Sequence, residues 1–194
     1  MANIDHKPSK YMLNLLHILA PFASEEEKVV NSIIELNSHT INKYEIITES
    51  GQLKLDRVGY SSLAYPFAYG CITKTWDKDN DPLDIAIVNV IEPLIPGSIV
   101  EARIIGIMKF IDNEEEDHKI IAVINNDKRS NHITSIADLG EYFEKETTYY
   151  WEHYKDLKKP GTGKVEGFFG IDEAVETINE CSKRYIEEYL PNFE

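Results

Sequence analysis

Alternating hydrophobic and polar residues dominate the first two thirds of the chain, and this spacing predicts β-strands. In the clearest run, residues 98–111, Val100 and Ile104 lie on one face, whereas Glu101 and Arg103 lie on the other. A period of two is typical of a half-buried strand. Similar runs predict further strands at 32–36, 43–47, 52–57, 83–90 and 118–124.

The last third of the chain changes to helical spacing. Thr134 or Ser135 can cap a helix that runs to about Asp156, and Asp172 can cap a second helix. Apolar positions recur at helical spacing in the second segment, at Val175, Ile178, Cys181, Tyr185 and Tyr189. Strands followed by helices indicate an α+β fold with a mainly β core, a five-stranded, OB-like antiparallel barrel flanked by helices.

The first 30 residues differ from the remainder. The apolar run 11–20 follows two lysines, as the core of a signal peptide would. Asn14 and His17 interrupt this run, and its apolar positions also suit one face of an amphipathic helix. We therefore expect a packed helical extension over 1–30 and a single domain over 31–194, a length that can bury one substantial core.

Net charge restricts the partners. Twenty Lys and Arg residues against 34 Asp and Glu residues give a formal charge of −14, which repels phosphate backbones and anionic membranes. We therefore expect no nucleic-acid partner and no membrane association, and no apolar run approaches the roughly 20 residues of a spanning helix. Cys71 and Cys181 show neither metal-ligand nor redox spacing, which favours a reducing, cytoplasmic location.

Carboxylates are concentrated in the segment Asp77-Lys-Asp79-Asn-Asp81-Pro82-Leu-Asp84. Such a run can be a solvated turn, or it can bind a hard cation through its oxygens. An EF-hand loop starting at Asp77 would need Gly at its sixth position and Glu at its twelfth, where this chain has Pro82 and Val88. Pro82 instead favours an extended chain, which places Asp84 at the start of a strand.

The run from Asp79 to Ile85 resembles the signature of the family I soluble inorganic pyrophosphatases. The resemblance covers roughly residues 32–185. Further motifs follow in the order that family shows: Lys43-Tyr-Glu45, Glu49-Ser-Gly51, Asp56-Arg57, Tyr65-Pro66, Tyr69-Gly70, Pro96-Gly97-Ser98, Gly106, Asp112, Asp117, Lys119, Trp151-Glu-His-Tyr154-Lys155-Asp-Leu and Lys164-Val-Glu-Gly167.

This resemblance implies magnesium-dependent hydrolysis of inorganic pyrophosphate to two phosphates by a metal-bridged hydroxide, with Asp81 as the general base. It implies metal ligation by Asp79, Asp84, Asp112 and Asp117. Phosphate contacts would come from Lys43, Arg57, Tyr69, Lys119, Tyr154 and Lys155. Glu35, Glu45 and Tyr65 would line the pocket. The family's short bacterial-type members are commonly hexamers, so the resemblance also implies a homo-oligomer.

The residues assigned in this way comprise seven carboxylates and four cations, a net charge of −3. An empty pocket of this charge repels pyrophosphate, so Mg²⁺ would be part of the binding site itself. Two alternatives stay open on the sequence alone. A non-catalytic divalent-cation-binding module would not require the four cations. An oligonucleotide-binding domain, which the barrel alone suggests, would need a basic groove.

Overall fold

A computed structural model describes residues 14–193. The α-helices in this range are α1 (Leu15–Ile18), α2 (Glu141–His153), α3 (Ile171–Arg184) and α4 (Leu190–Phe193), with a π-helical turn at Tyr185–Tyr189 between the last two. The strands are β1 (Phe22–Ser24), β2 (Val29–Leu36), β3 (Asn42–Ile46), β4 (Leu53–Val58), β5 (Ala68–Ile72), β6 (Asp84–Ile87), β7 (Ile99–Asp112), β8 (Glu115–Glu116), β9 (Lys119–Ile124) and β10 (Gly163–Phe169).

Five strands close into a barrel in the order β2, β5, β6, β9, β7 and back to β2. This confirms the predicted five-stranded barrel, but the expectation of a wholly antiparallel barrel was wrong. β6 and β9 are parallel, whereas the other four pairs are antiparallel. A parallel pair needs a long crossover connection, which β7 and the β7–β8 turn supply here. β3 and β4 form a separate hairpin.

The sequence pattern located six of the ten strands and missed four, the short β1 and β8 as well as β5 and β10. β5 is buried along its whole length, so it lacks the alternation that reveals a strand. At its centre, a methyl group in place of the Gly70 hydrogen would lie 1.9 Å from the Ile33 carbonyl oxygen, so β2 and β5 approach each other only because this residue is glycine. β10 contains a register shift between Val165 and Gly167, which disrupts its periodicity.

Both predicted helix starts need correction. Ser135 and Asp138 form a capping box, but it begins a 3-10 turn over Ile136–Leu139. Gly140, with φ of 83°, then separates this turn from α2, which ends before Asp156. Glycine reaches this left-handed backbone region without steric cost, so the helical pattern breaks there. In α3 the N-cap is Gly170, and Asp172 lies in the first turn.

Three apolar clusters stabilise the fold. One joins the barrel to α3 through Ile178 and Cys181, and a second joins it to α2 through Tyr150 and Trp151. The third places Leu16 against Ile33, Ile46 and Cys71. α2 and α3 are therefore anchored on the barrel by buried side chains, as expected for flanking helices.

The predicted N-terminal helix lies partly outside the described residues. Of residues 14–30, only Leu15–Ile18 is α-helical, and β1 follows at Phe22–Ser24. The division into an extension over 1–30 and a domain over 31–194 stays a prediction. None of the helices between residues 14 and 193 has the length and hydrophobicity that crossing a bilayer requires.

Candidate active site

The chemistry-bearing residues meet at one end of the barrel because of the strand pairing. Asp84 and Lys119 are the first residues of β6 and β9, and they are register partners in this parallel pair. β7 runs antiparallel to β9, so its last residue, Asp112, reaches the same end. Asp117 lies in the short connection before β9, where its N–H donates to the Phe110 carbonyl at 3.0 Å.

Lys119 forms the buried centre of this group. Its side chain is 1% exposed, and its Nζ donates to Asp84 Oδ2 at 2.6 Å and also to Asp117. Burial alone would lower the pKa of Lys119, but the Asp117 and Asp84 carboxylates outweigh burial and raise it. Tyr69 donates its hydroxyl to the same oxygen of Asp84. One lysine thus holds carboxylates from two segments together.

The two carboxylates respond differently to this shared cation. Burial raises the pKa of Asp84 above its ordinary value, although Lys119 partly offsets the effect. Burial acts in the same direction on Asp117, but there the Lys119 ammonium outweighs it and lowers the pKa. A negative charge is therefore stabilised better on Asp117 than on Asp84.

Asp79 and Asp81 lie on the loop between β5 and β6. The Asp81 N–H donates to Asp79 Oδ1 at 3.1 Å, and Asn80 between them has a left-handed φ of 65°. Burial, followed by the charges of Asp117 and Asp84, raises the pKa of Asp79 to about 8. Asp81 is open to solvent at the rim, yet surrounding protein and the charge of Asp84 raise its pKa to about 6.

Glu35, Lys43 and Glu45 form a second side of the cleft. Buried Glu35 accepts a hydrogen bond from the Ile46 N–H at 2.8 Å, and Lys43 forms an ion pair with Glu45. Burial and the charge of Asp84 raise the pKa of Glu35 to about 8. Burial opposes the charge on Lys43, but Asp84, Tyr65 and Glu45 raise its pKa.

Arg57 and Tyr65 extend this side. Arg57 on β4 is the register partner of Lys43 on β3, and its Nη1 donates to Asp56 Oδ2 at 2.6 Å. Its side chain keeps 26% exposure, so part of Arg57 is open to solvent. Burial raises the pKa of Tyr65 although Lys43 and Arg57 act to lower it.

Asp112, Tyr154 and Lys155 form the third side. Lys155 makes an ion pair with Asp112, and the Tyr154 hydroxyl lies 3.5 Å from Asp112 Oδ2. The other oxygen, Asp112 Oδ1, is buried and has no hydrogen-bond partner in the described part of the chain. Burial, then Asp112 and Asp117, raises the pKa of Tyr154 well above its ordinary value.

Contacts and electrostatic interactions connect all fourteen predicted site residues into one cluster. They are Glu35, Lys43, Glu45, Arg57, Tyr65, Tyr69, Asp79, Asp81, Asp84, Asp112, Asp117, Lys119, Tyr154 and Lys155. Within residues 14–193, no three His, Cys, Asp or Glu side chains are grouped closely enough to hold a metal ion as they stand. In this arrangement the Lys119 ammonium occupies the position between Asp84 and Asp117.

Comparison with known proteins identifies the family of this chain. The family model for inorganic pyrophosphatase matches residues 32–186. An inorganic pyrophosphatase of Geobacillus stearothermophilus is 39% identical over 163 residues, which cover 84% of this chain and 98% of that protein. The chain belongs to the inorganic pyrophosphatase family. Proteins of this family are hydrolases of pyrophosphate, and this reaction replaces the two alternatives that the sequence left open.

Solved pyrophosphatase structures share the fold. The enzyme from Neisseria gonorrhoeae has a TM-score of 0.84 and 36% identity, with coverage of 88% of this chain and 98% of that one. The enzyme from Thermus thermophilus has a TM-score of 0.80 and 35% identity, covering 89% and 99%. Each comparison covers nearly the whole of the related chain, so the barrel is that of the pyrophosphatases.

Trp151 is a residue of this pyrophosphatase cleft whose position the sequence did not reveal. It is buried, and Lys119 Nζ lies 5.0 Å from its ring centre. Phe110 and Tyr69 lie within 5.9 Å of the same ammonium. This aromatic surround favours a cation. The available signal was the helical spacing of Trp151 to Tyr154 and Lys155, which puts all three near one face.

Proposed function

We propose that this cleft carries out Mg²⁺-dependent hydrolysis of pyrophosphate to two phosphates, with Asp81 as the general base. The observation that carries the proposal is an uneven charge distribution. Lys43, Lys119 and Lys155 each contact a carboxylate of the cleft. Among the described residues, Glu35, Asp79 and Asp81 make no ion pair, and their pKa values are raised, so this part of the cleft lacks the cation that would stabilise their ionised forms.

The donor set fits Mg²⁺. Asp79, Asp84, Asp112 and Asp117 would hold it through carboxylate oxygens, the hard ligands that this ion prefers. Asp112 Oδ1 is buried without a partner in the described residues, which leaves an acceptor for a cation. Bound there, Mg²⁺ would offset the carboxylate charge, draw in the anionic substrate and acidify the attacking water.

Cations and hydroxyls on two sides of the cleft would hold the phosphates. Lys43 and Arg57 extend from the β3–β4 hairpin, and Tyr154 and Lys155 follow α2 on the facing side. Arg57 is suited to bidentate contact because its guanidinium is planar. Tyr69 and Lys119 would act from the cleft floor. Phosphoryl transfer depends on such positioning and charge stabilisation more than on covalent help.

Asp81 has the features of a general base. It is the cleft carboxylate on the Asp79–Asp84 loop that is open to solvent, so a proton it takes from water can be passed on. The Asp81 N–H donates a hydrogen bond to Asp79 Oδ1, and this contact holds the Asp79 and Asp81 side chains in defined relative positions. Asp81 would therefore orient the attacking water beside the metal ligands.

Phosphate release from pyrophosphate tests the proposal. We expect turnover with Mg²⁺, none in EDTA, and recovery on adding excess Mg²⁺. Asp81→Asn should lower kcat by about 10²–10⁴-fold, the usual contribution of a general base, and leave Mg²⁺ binding measurable. The matched control is Asp172→Asn, an exposed carboxylate in α3. Full activity of Asp81→Asn would exclude Asp81 as the base.

We also propose a homo-oligomer, with a hexamer as the expected state, and a cytoplasmic location. Exposed apolar side chains such as Ile95, Tyr142 and Leu157 supply surface that subunit contacts commonly cover. Neither Cys71 nor Cys181 forms a disulfide, which suits a reducing compartment. Sedimentation equilibrium tests the assembly, and a species of one subunit's mass at micromolar concentration would contradict it.

A further inference from the structure

The loop that carries Asp79 and Asp81 is attached to the rest of the molecule through the segment Thr73–Asp77. Both ends of the described chain contact this segment. Residues 14–20 approach from the N-terminal end and residues 181–189 from the C-terminal end, and neither range contains a proposed ligand or substrate contact. We refer to these two ranges together as the chain-end clasp.

The C-terminal side of the clasp holds Trp76 and Asp77. The Trp76 N–H donates to the Cys181 carbonyl at 3.0 Å, and Arg184 Nη1 donates to the Trp76 carbonyl at 2.8 Å. The N–H and the carbonyl of Trp76 are thus both hydrogen-bonded to the end of α3. Arg184 Nη1 also lies 3.4 Å from Asp77 Oδ1, so the guanidinium offsets a buried carboxylate.

The N-terminal side holds Thr73 and Lys74. The Lys74 N–H donates to the Leu16 carbonyl at 2.9 Å, and the Thr73 hydroxyl donates to the Ala20 carbonyl at 3.0 Å. Leu16 is itself buried in the cluster that contains Ile33. These backbone positions are therefore anchored on the barrel core.

The two ends also contact each other through aromatic rings. The His17 ring stacks on Tyr185 and Tyr189, with centroids 5.7 and 5.4 Å away, and Tyr189 lies 4.4 Å from the Trp76 ring. His17 Nε2 donates to the Thr48 carbonyl at 2.7 Å, so its Nδ1 accepts from the Tyr185 hydroxyl at 2.8 Å. His17 and Tyr189 lie outside the family match over 32–186.

Asp77 connects the anchored segment to the loop that carries Asp79 and Asp81. The Asp77 N–H donates to the Asp81 carbonyl at 2.7 Å, and the Asn80 N–H donates back to the Asp77 carbonyl at 3.2 Å. At the far end of the loop, the Leu83 N–H donates to Thr75 Oγ1 at 3.0 Å. Carboxylates this close repel one another, so without these hydrogen bonds the carboxylates of the loop would move apart.

We propose that the chain-end clasp positions Asp79 as a Mg²⁺ ligand and Asp81 beside it, with Arg184 and His17 as positioning residues. The proposal rests on the proposed function in taking Asp79 as a magnesium ligand. Arg184 acts through the Trp76 carbonyl and the Asp77 carboxylate, and His17 acts through the stacked rings that contact Trp76. Removing either contact leaves every proposed ligand in place but less well held.

The test measures Mg²⁺ binding directly, by calorimetry without substrate, in Arg184→Ala and His17→Ala. We expect dissociation constants raised by about 10-fold, the smaller end of the effect of removing an outer partner of a metal site. The half-saturating Mg²⁺ concentration in phosphate release should rise in parallel. Controls are Lys183→Ala, whose side chain is 73% exposed beside Arg184, and His132→Ala, an exposed histidine.

Thermal unfolding separates positioning from mere stabilisation. A purely structural contact would lower Tm and leave the Mg²⁺ constants of the folded protein unchanged, and that result in both variants would overturn the proposal. Arg184→Lys, which keeps the charge, should recover part of the affinity. If Arg184→Ala does not fold, Arg184→Lys and His17→Ala decide the question. A wild-type protein that binds Mg²⁺ without hydrolysing pyrophosphate would contradict the proposed function and leave the clasp measurable.

Discussion

The ammonium group of Lys119 lies 2.6 Å from Asp84 Oδ2, and the two residues begin adjacent parallel strands. Lys119 also contacts Asp117, so a single buried cation bridges two of the proposed magnesium ligands. Burying a charge is costly unless it is paired, and here each charge compensates the other. A divalent cation that takes these carboxylates as ligands would have to share them with the ammonium or displace it.

Asp84→Ala and Asp117→Ala should each abolish Mg²⁺-dependent turnover. Lys119 keeps one carboxylate partner in either variant, so we expect the barrel to stay folded. The loss should exceed the roughly 10–100-fold effect of removing an outer partner of a metal site. Phosphate release and circular dichroism check activity and fold, and Asp172→Ala serves as the control. Near-wild-type rates in either folded variant would exclude that residue as a ligand.

Arg57→Lys should weaken substrate handling although the charge is conserved. A lysine cannot reproduce the planar fork, and a hydrogen bond to a charged group contributes about 1.5–3 kcal/mol. We therefore expect kcat/KM to fall by about tenfold or more. Arg129→Lys is the matched control, since that side chain is 64% exposed and pairs locally with Asp127. A kcat/KM ratio near one for Arg57→Lys would contradict a bidentate phosphate contact.

The stability of the metal-free protein should depend on pH through the ionisation of Glu35. Its pKa is raised from 4.5 to about 8, so the folded protein retains a proton that the unfolded chain releases. The free energy of unfolding therefore decreases as pH rises from about 4.5 to about 8, by up to about 1.4 kcal/mol per pH unit. Glu35→Gln keeps the acceptor for the Ile46 N–H but cannot ionise, so it should be the more stable protein near pH 8.

Urea unfolding in EDTA at several pH values tests this dependence. The difference between wild type and Glu35→Gln should grow with pH, whereas Glu141→Gln, whose side chain is 83% exposed, should follow wild type. A pH-independent difference for Glu35→Gln would mean that folding does not raise the pKa of Glu35.

Calcium should bind the cleft without supporting hydrolysis. Ca²⁺ accepts carboxylate oxygens but at about 2.3–2.6 Å, with looser coordination than the roughly 2.0–2.1 Å of Mg²⁺. Longer distances would shift the attacking water relative to phosphorus, and small misplacements of a nucleophile are costly. Phosphate release with Ca²⁺ alone, and with Ca²⁺ titrated against Mg²⁺, measures this. Comparable turnover in the two ions would refute the proposed role of the metal.

Local sequence was sufficient to predict those features whose signal is contained in a few adjacent residues. The alternation in 98–111 predicted β7, and the Asp79–Asp84 run with Pro82 predicted an acidic loop leading into a strand, which the structure contains as the start of β6. These features depend on side-chain period and on the restricted backbone of proline, and both act within one segment. The remaining site residues were predicted from the resemblance to the pyrophosphatase family.

Tertiary structure alone decided how those segments meet. The Asp84–Lys119 contact spans 35 residues and depends on a parallel pairing that no local period indicates. Arg184 reaches Trp76 across 108 residues, and β5 pairs closely with β2 because Gly70 has no side chain. Strand order, register and chain-end contacts follow from which surfaces the whole core buries together, and that free energy is shared by segments distant in sequence.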